Sequence, residues 1–298
     1  MDSVLTLIGD PASSAVAPAL AEAAGAALAE TGARVAPPDW LAPGIACDLA
    51  FGGVSLAIAG AAARERLDGA PLDLAAQPAA GRRKGLLVAD MESTIIGQEL
   101  VDELAEAAGI HDRIAAITAR SMAGEIDFAG ALHERVGLLA GLSVSTLDRV
   151  AARITFNPGA RTLIRTVRAG GAYTALVTGG FTCFAEIVAR DCGFDEMRGN
   201  TLLIEGDCLS GEVGAPILGP ESKLAILREL AGRHGLNMAA TAAVGDGAND
   251  LAMVRAAGLG AAYRGKPVLR EAAGFRIDHG DLTALLYLQG YRRTEFEN

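Results

Sequence analysis

Two acids stand two places apart at the mouth of an apolar run: Gly85-Leu86-Leu87-Val88-Ala89-Asp90-Met91-Glu92-Ser93-Thr94. Beside a buried strand, desolvation and mutual repulsion disfavour ionising both, and a divalent cation relieves the repulsion. Three further pieces follow: Thr178-Gly179-Gly180, then Lys223, then Gly245-Asp246-Gly247-Ala248-Asn249-Asp250. Together they fit phosphoryl transfer, whose monoester substrates hydrolyse so slowly that a catalyst must supply on the order of 20 kcal/mol or more. Asp90 can attack phosphorus to give an aspartyl-phosphate. Mg²⁺ prefers oxygen ligands and keeps several waters, so the Asp90 and Asp246 carboxylates suffice to hold it. The Thr178 hydroxyl and the N–H groups of Gly179 and Gly180, at a helix N-terminus, can hold phosphoryl oxygens. Lys223 would neutralise charge shared by phosphate and nucleophile, and Glu92 would protonate the leaving oxygen and then activate water.

Each piece also has a plainer reading. Ser93 or Thr94 can be the N-cap of a helix over Ile95 to Ala108, and Asn249 or Asp250 the cap of another. Thr178-Gly179-Gly180 can be an ordinary strand-to-helix turn, and Lys223 a solvated surface lysine.

The elements that must bring these pieces together are strands alternating with helices. Leu86 to Ala89, bounded by Arg82, Arg83, Lys84 and Gly85, reads as a buried parallel strand. Ala172 to Val177, Thr241 to Val244 and Leu259 to Ala262 read as three more. The pattern predicts an α/β fold with a doubly wound parallel sheet, whose strand ends share one edge where ligands collect. Asp112 to Ala152 is helical and shows no strand, as a mobile cap inserted over a site would, or a long crossover. Asn157-Pro158 reads as the cap and first position of a helix running to Arg168. Asn200 to Ile204 and Val213 to Ile217 flank a hairpin turn over Glu205 to Glu212.

Ahead of this lies a small α+β N-terminal module over residues 1–80. It has strands at Ser3 to Ile8, Ile45 to Phe51 and Leu72 to Leu74, and helices at Ala15 to Thr31 and Val54 to Leu67. It ends in a loose segment, Gln77 to Lys84, and carries no chemical constellation. Regulation, dimerisation and shielding of the main domain are open to it.

The chain's 298 residues allow two unequal domains. Hydrophobic residues make up 51% and aromatics only 4%, so the core is built from small side chains. A formal net charge of −10 argues against a nucleic-acid-binding surface, since phosphate backbones select clustered Lys and Arg. The most apolar stretch, Val54 to Ala63, is too short to span a bilayer, which excludes a membrane pump that forms an aspartyl-phosphate. Met1-Asp2 lacks a signal peptide's positive start, and Cys47, Cys183, Cys192 and Cys208 show neither a C-x-x-C pair nor zinc-ligand spacing. A cytoplasmic protein with free thiols is expected.

The order Asp90-x-Glu92-x-Thr94, Thr178-Gly179-Gly180, Lys223, Gly245-Asp246-Gly247-x-x-Asp250 resembles the four motifs of the haloacid dehalogenase-like phosphatases. Within them it is most similar to the phosphoserine phosphatases, from Lys84 to about Ala262 and including the cap. The resemblance implies a phosphatase domain over 84–298 with a helical cap at about 104–153. It implies Mg²⁺ as cofactor, held by Asp90, Asp246, Asp250 and Glu92, the last through its backbone carbonyl. O-phospho-L-serine would be the small-molecule substrate, in the last step of serine synthesis, with a homodimer among the allowed states. Glu99 would hold the substrate ammonium and Arg135 clamp its carboxylate, while Met122 and Phe128 close over it and Asn249 adds a contact. The family usually has Asp where this chain has Glu92, and Ser where it has Thr178. The second change keeps the hydroxyl. The first moves a carboxyl by one methylene, where about 1 Å of misplacement can cost ~100-fold. The rivals are therefore a phosphatase or phosphotransferase for another small phosphomonoester, and a non-catalytic phosphometabolite-binding protein.

Overall fold

The computed structural model describes residues 1–13 and 15–297, without the side chain of Met122. Strands β1 (Ser3–Gly9), β2 (Arg34–Val35), β3 (Asp39–Ala42), β4 (Ala46–Gly52) and β5 (Leu72–Pro78) form an antiparallel sheet with β1 between β4 and β5. Helices α1 (Pro18–Glu30) and α2 (Leu56–Arg66) cover one face of it, burying Leu5, Leu7, Leu28, Phe51 and Ala63. The alternation of strand residues sends Ile8, Ala46 and Ala75 to the other face, where they join the main core.

The segment expected to be loose is instead pinned. Gln77 Nε2 donates to Leu288 O at 2.7 Å, and the backbone N–H of Lys84 donates to Gln289 Oε1 at 3.0 Å. Arg82 pairs with Asp48 and donates to the carbonyls of Tyr287 and Leu288. Pro, Gly and Arg in the chain suggested mobility, but these contacts come from residues some 200 positions away and could not be read locally.

The second sheet begins at β6 (Leu86–Ala89). Helices α3 (Leu100–Ala108), α4 (His111–Met122), α5 (Phe128–Gly137) and α6 (Val144–Ala151) then leave the sheet plane. The chain returns through α7 (Ala160–Ala169), β7 (Tyr173–Phe181), α8 (Thr182–Cys192) and β8 (Glu196–Asn200). A hairpin of β9 (Leu202–Glu205) and β10 (Cys208–Val213) precedes α9 (Pro220–Arg233). Its turn is tighter than the expected Glu205 to Glu212 loop, because Cys208 pairs directly with Glu205. The last elements are β11 (Thr241–Gly245), α10 (Leu251–Ala256), β12 (Leu259–Tyr263), α11 (Pro267–Ala272), β13 (Phe275–Ile277) and α12 (Ala284–Leu288). The six core strands run parallel in the order β13-β12-β11-β6-β7-β8, so β6 and β11 are central and adjacent. Strands β8 and β13 are short, half-polar edges with no clear apolar run.

Two local expectations are corrected. No helix runs from Ile95 to Ala108. Met91 to Ile95 is a tight turn with Ser93 at φ +54°, Ile96 is extended, and α3 begins only at Leu100. Likewise Asn157 does not cap α7; Gly159 does, at φ +80°, where an added Cβ would lie 2.8 Å from the Thr283 nitrogen. Both departures have one cause. The chain entering the helical block pairs with the chain leaving it: Gly97 N–H donates to Thr155 O, and Asn157 N–H to Ile95 O, at 3.0 and 2.9 Å. Asn157 Nδ2 adds bonds to Thr94 O and Ile96 O at 2.8 and 3.2 Å. This two-stranded neck joins α3–α6 to the sheet. Among the described residues no helix is long and apolar enough to cross a membrane.

Candidate active site

Asp90 directly follows β6, its own N–H still bonded to Val244 O of the neighbouring β11 at 3.0 Å. The carboxylate turns back to accept from Met91 N–H at 2.8 Å. The left-handed Ser93 then reverses the chain, a conformation disfavoured for a residue with a Cβ and found where function sustains it. The turn brings Glu92 and Glu99 to the same rim. Glu92 Oε1 accepts from Leu100 N–H at 2.8 Å, at the positive end of α3, and Ser93 Oγ donates to Glu99 Oε1 at 2.7 Å.

Next to β6, the end of β7 carries Thr178-Gly179-Gly180. The Gly180 N–H donates to Thr178 Oγ1 at 2.8 Å, and α8 starts only at Thr182. The Gly180 N–H is therefore spent within the motif and does not belong to a helix N-terminus as expected. The glycines matter by closeness: a Cβ on Gly180 would sit 2.7 Å from Glu92 Oε2, and one on Gly179 3.2 Å from Phe128 Cζ. On the other side, the loop after β11 is folded by Asp250, whose Oδ2 accepts from the N–H groups of Asp246 and Gly247, both at 3.1 Å.

Lys223, on α9, is no surface lysine. It is 3% exposed, with Nζ 2.7 Å from Asp90 Oδ1 and 2.6 Å from Asp250 Oδ1. Carboxylate oxygens of Asp90, Asp246 and Asp250 lie within 4.8 Å of one another, all buried. Three acids against one buried lysine leave an excess of negative charge that hard cations answer, so this oxygen set fits Mg²⁺. Within it Asp250 has both oxygens engaged, whereas no hydrogen bond reaches Asp90 Oδ2 or Asp246 Oδ1 among the described residues. Glu92's carboxylate is outside this cluster.

The protonation pattern follows from crowding. Burial, then Glu99 and Asp90, push Glu92 up to about 8 against the opposing Leu100 N–H and Lys223. Burial and Asp90 raise Asp250 to about 7, and burial and Asp90 also raise Asp246, with Lys266 opposing. Desolvation raises Glu99 despite its bond from Ser93. Burial works against the Lys223 ammonium, but Asp90 and Asp250 more than offset it. Crowding thus favours the protonated form of Glu92, while the Lys223 ammonium faces Asp90.

A cavity of 340 Å³ opens over these groups, roofed by Phe128 and Arg135 of α5 and floored by Asp90, Thr178 and Asp246. Glu99, Gly179, Gly180 and Asn249 also line it. Arg135 spends Nε on Ala131 O, at 3.2 Å, and desolvation lowers its pKa against the pull of Glu92, Asp102 and Glu99. The Met122 side chain lies outside the described residues. Val101, Asp102, Thr118, Leu132 and Lys266 line it too and were not expected; of these Lys266 touches the acid cluster, with Nζ 3.1 Å from Asp246 Oδ2. The only available signal was its place just after the fourth predicted strand, at the same sheet edge. A larger hollow of 750 Å³ around Arg165, Tyr173 and His234 lies at the opposite ends of the strands and contains none of these acids.

A family model described as haloacid dehalogenase-like hydrolase matches residues 87–255. The chain belongs to that family. Among haloacid dehalogenase-like relatives, it is 38% identical to a phosphoserine phosphatase of Streptomyces coelicolor over 299 residues, which is 99% of this chain and 72% of that one. It is 42% identical to phosphoserine phosphatase SerB2 of Mycobacterium tuberculosis, covering 83% of this chain but only 59% of that longer protein. A solved structure described as a phospho-aspartyl intermediate analogue of phosphoserine phosphatase superposes with a TM-score of 0.64 at 35% identity. That match covers 69% of this chain and 98% of the other.

Proposed function

We infer that this chain is a Mg²⁺-dependent phosphoserine phosphatase, converting O-phospho-L-serine and water to L-serine and phosphate in the cytoplasm. The observation that carries the reading is a single cavity. It has Asp90 and Asp246 of the acid cluster on its floor, with Asp250 buried behind them, and a cation–anion pair of opposite roles, Arg135 and Glu99, higher on its walls. A zwitterionic amino acid with a phosphate at its far end needs that spacing of charges, and a guanidinium suits a carboxylate.

Bound Mg²⁺, held by Asp90 and Asp246 with Asp250 bracing the loop, would supply positive charge to the phosphoryl oxygens. The Asp90 carboxylate attacks phosphorus, forming an acyl-phosphate bond as the bond to the seryl oxygen breaks. Glu92 gives its proton to that oxygen, releasing serine. The Glu92 carboxylate then takes a proton from water, which attacks phosphorus and restores Asp90 as phosphate leaves. The Lys223 ammonium, 2.7 Å from Asp90 Oδ1, holds the nucleophile in place throughout. The pKa of about 8 supports this role for Glu92, because a general acid must hold its proton at working pH. Its longer side chain lets Glu92 accept from Leu100 N–H at the start of α3 while facing the cavity.

We also assign residues 84–298 to the phosphatase unit, about 104–153 to its cap and 1–80 to a small N-terminal module, and keep a homodimer among the allowed assemblies. The test is phosphate release from O-phosphoserine with added Mg²⁺, in wild type and Arg135→Ala. Losing a charged hydrogen bond to the substrate carboxylate should cost ~10- to 100-fold in kcat/KM for phosphoserine. Turnover of an aryl phosphate should change less than about threefold. Equal losses on both substrates would reject phosphoserine in favour of another phosphomonoester.

A further inference from the structure

The two lysines of the site sit in opposite circumstances. Lys223 is buried and held by two carboxylates, so it cannot leave. Lys266 has a side chain 61% exposed and a single carboxylate partner, Asp246, whose own side chain is 9% exposed. An ammonium bound to one buried acid and otherwise surrounded by water can swing into solvent at little cost. Asp246 is also one of the two acids that keep an oxygen for a cation, so a divalent ion and the Lys266 ammonium are drawn to the same carboxylate.

We propose that Lys266 is a displaceable counter-ion of the metal seat. It neutralises Asp246 when no metal is bound and lowers the affinity of the site for divalent cations. The inference rests on the Mg²⁺ reading above. The geometry separates it from a purely structural role for this residue. The backbone N–H of Lys266 donates to Asp246 O at 2.7 Å, and the same residue caps the start of α11. Those main-chain contacts hold the loop whatever the side chain, leaving the ammonium free to act through charge alone. Glu99 also faces Lys266 across the cavity, so the displaced ammonium stays within an acidic surround.

The decisive experiment is calorimetric titration of Mg²⁺ into the chelator-stripped full chain, without substrate, for wild type, Lys266→Met and Lys266→Arg. Removing a positive charge next to a dication should tighten Mg²⁺ binding by roughly three- to tenfold in Lys266→Met. Lys266→Arg should bind like wild type, and added salt should narrow the gap between Met and wild type. Equal or weaker binding by Lys266→Met would overturn the proposal and make Lys266 an orienting clamp for Asp246. Failure of wild type to bind Mg²⁺ at all would overturn the metal reading itself, and this inference with it.

Discussion

Buried acids occur at both ends of this molecule, with opposite consequences. In the N-terminal sheet, Asp73 accepts from the N–H groups of Asp278, His279 and Gly280 at 2.8 to 3.3 Å. Asp48 is paired with Arg82 and receives the Thr6 hydroxyl at 2.7 Å. At the C-terminal edge of the parallel sheet, Asp90, Asp246 and Asp250 crowd together around one buried lysine. Burial raises Asp73 as it raises Asp246 and Asp250, so burial does not distinguish the two regions. The difference is in partners. Asp73 and Asp48 are each supplied with donors and serve to tie the first sheet to the segment 278–289. The second set is left with more negative charge than its surroundings neutralise, and this is the mark of a binding or catalytic centre.

The comparison can be broken most sharply at Asp90. Asp90→Asn should lower phosphoserine turnover by on the order of 10³-fold or more and abolish trapping of acid-stable phosphate on the protein. Its unfolding free energy in urea should stay level or rise, because one of three crowded charges is gone. Substantial residual turnover would dispose of the nucleophile. Arg82→Ala should do the reverse. Leaving Asp48 buried without its cation should cost about 3 kcal/mol of stability, read from the urea midpoint. Its kcat should remain within about twofold, and a large loss of activity would mean that the two regions are not separable in role.

The smallest effect concerns protons. In chelator-treated protein the folded state keeps a proton on Glu92 up to about 8, whereas the unfolded chain releases it near the ordinary glutamate value of 4.5. The native state therefore binds more protons through that window, and stability must fall as pH rises across it, by at most about 1.4 kcal/mol per pH unit for one group. Glu92→Gln should flatten that slope, leaving the parts due to Asp250, Asp246, Glu99 and Asp73, whose carboxyls burial also raises. An unchanged slope would show that Glu92 is ionised in the folded protein at neutral pH.

Much of the site was legible beforehand because its chemistry is written in short, local segments. A buried strand ending in Asp90, the Thr178-Gly179-Gly180 turn and the Gly- and Asp-rich loop from Gly245 each announce themselves by type and spacing. A parallel sheet then obliges their strand ends to share an edge. Lys223 was recognisable only as part of that set, and Lys266 left only its place after a predicted strand, where a lone lysine looks like any solvated charge.

What the chain's order determined was the reacting groups and the alternation of strand and helix, since both depend on residue type and period within a few positions. Tertiary structure alone decided the neck between residues 95–97 and 155–157, which cancelled a predicted helix start and a predicted cap. It also decided the anchoring of Gln77 and Arg82, and which of the acids were left in want of a cation. Hydrogen-bond partners and local charge balance are properties of neighbours in space. Segments separated by up to about 200 residues become neighbours only once the whole core has closed.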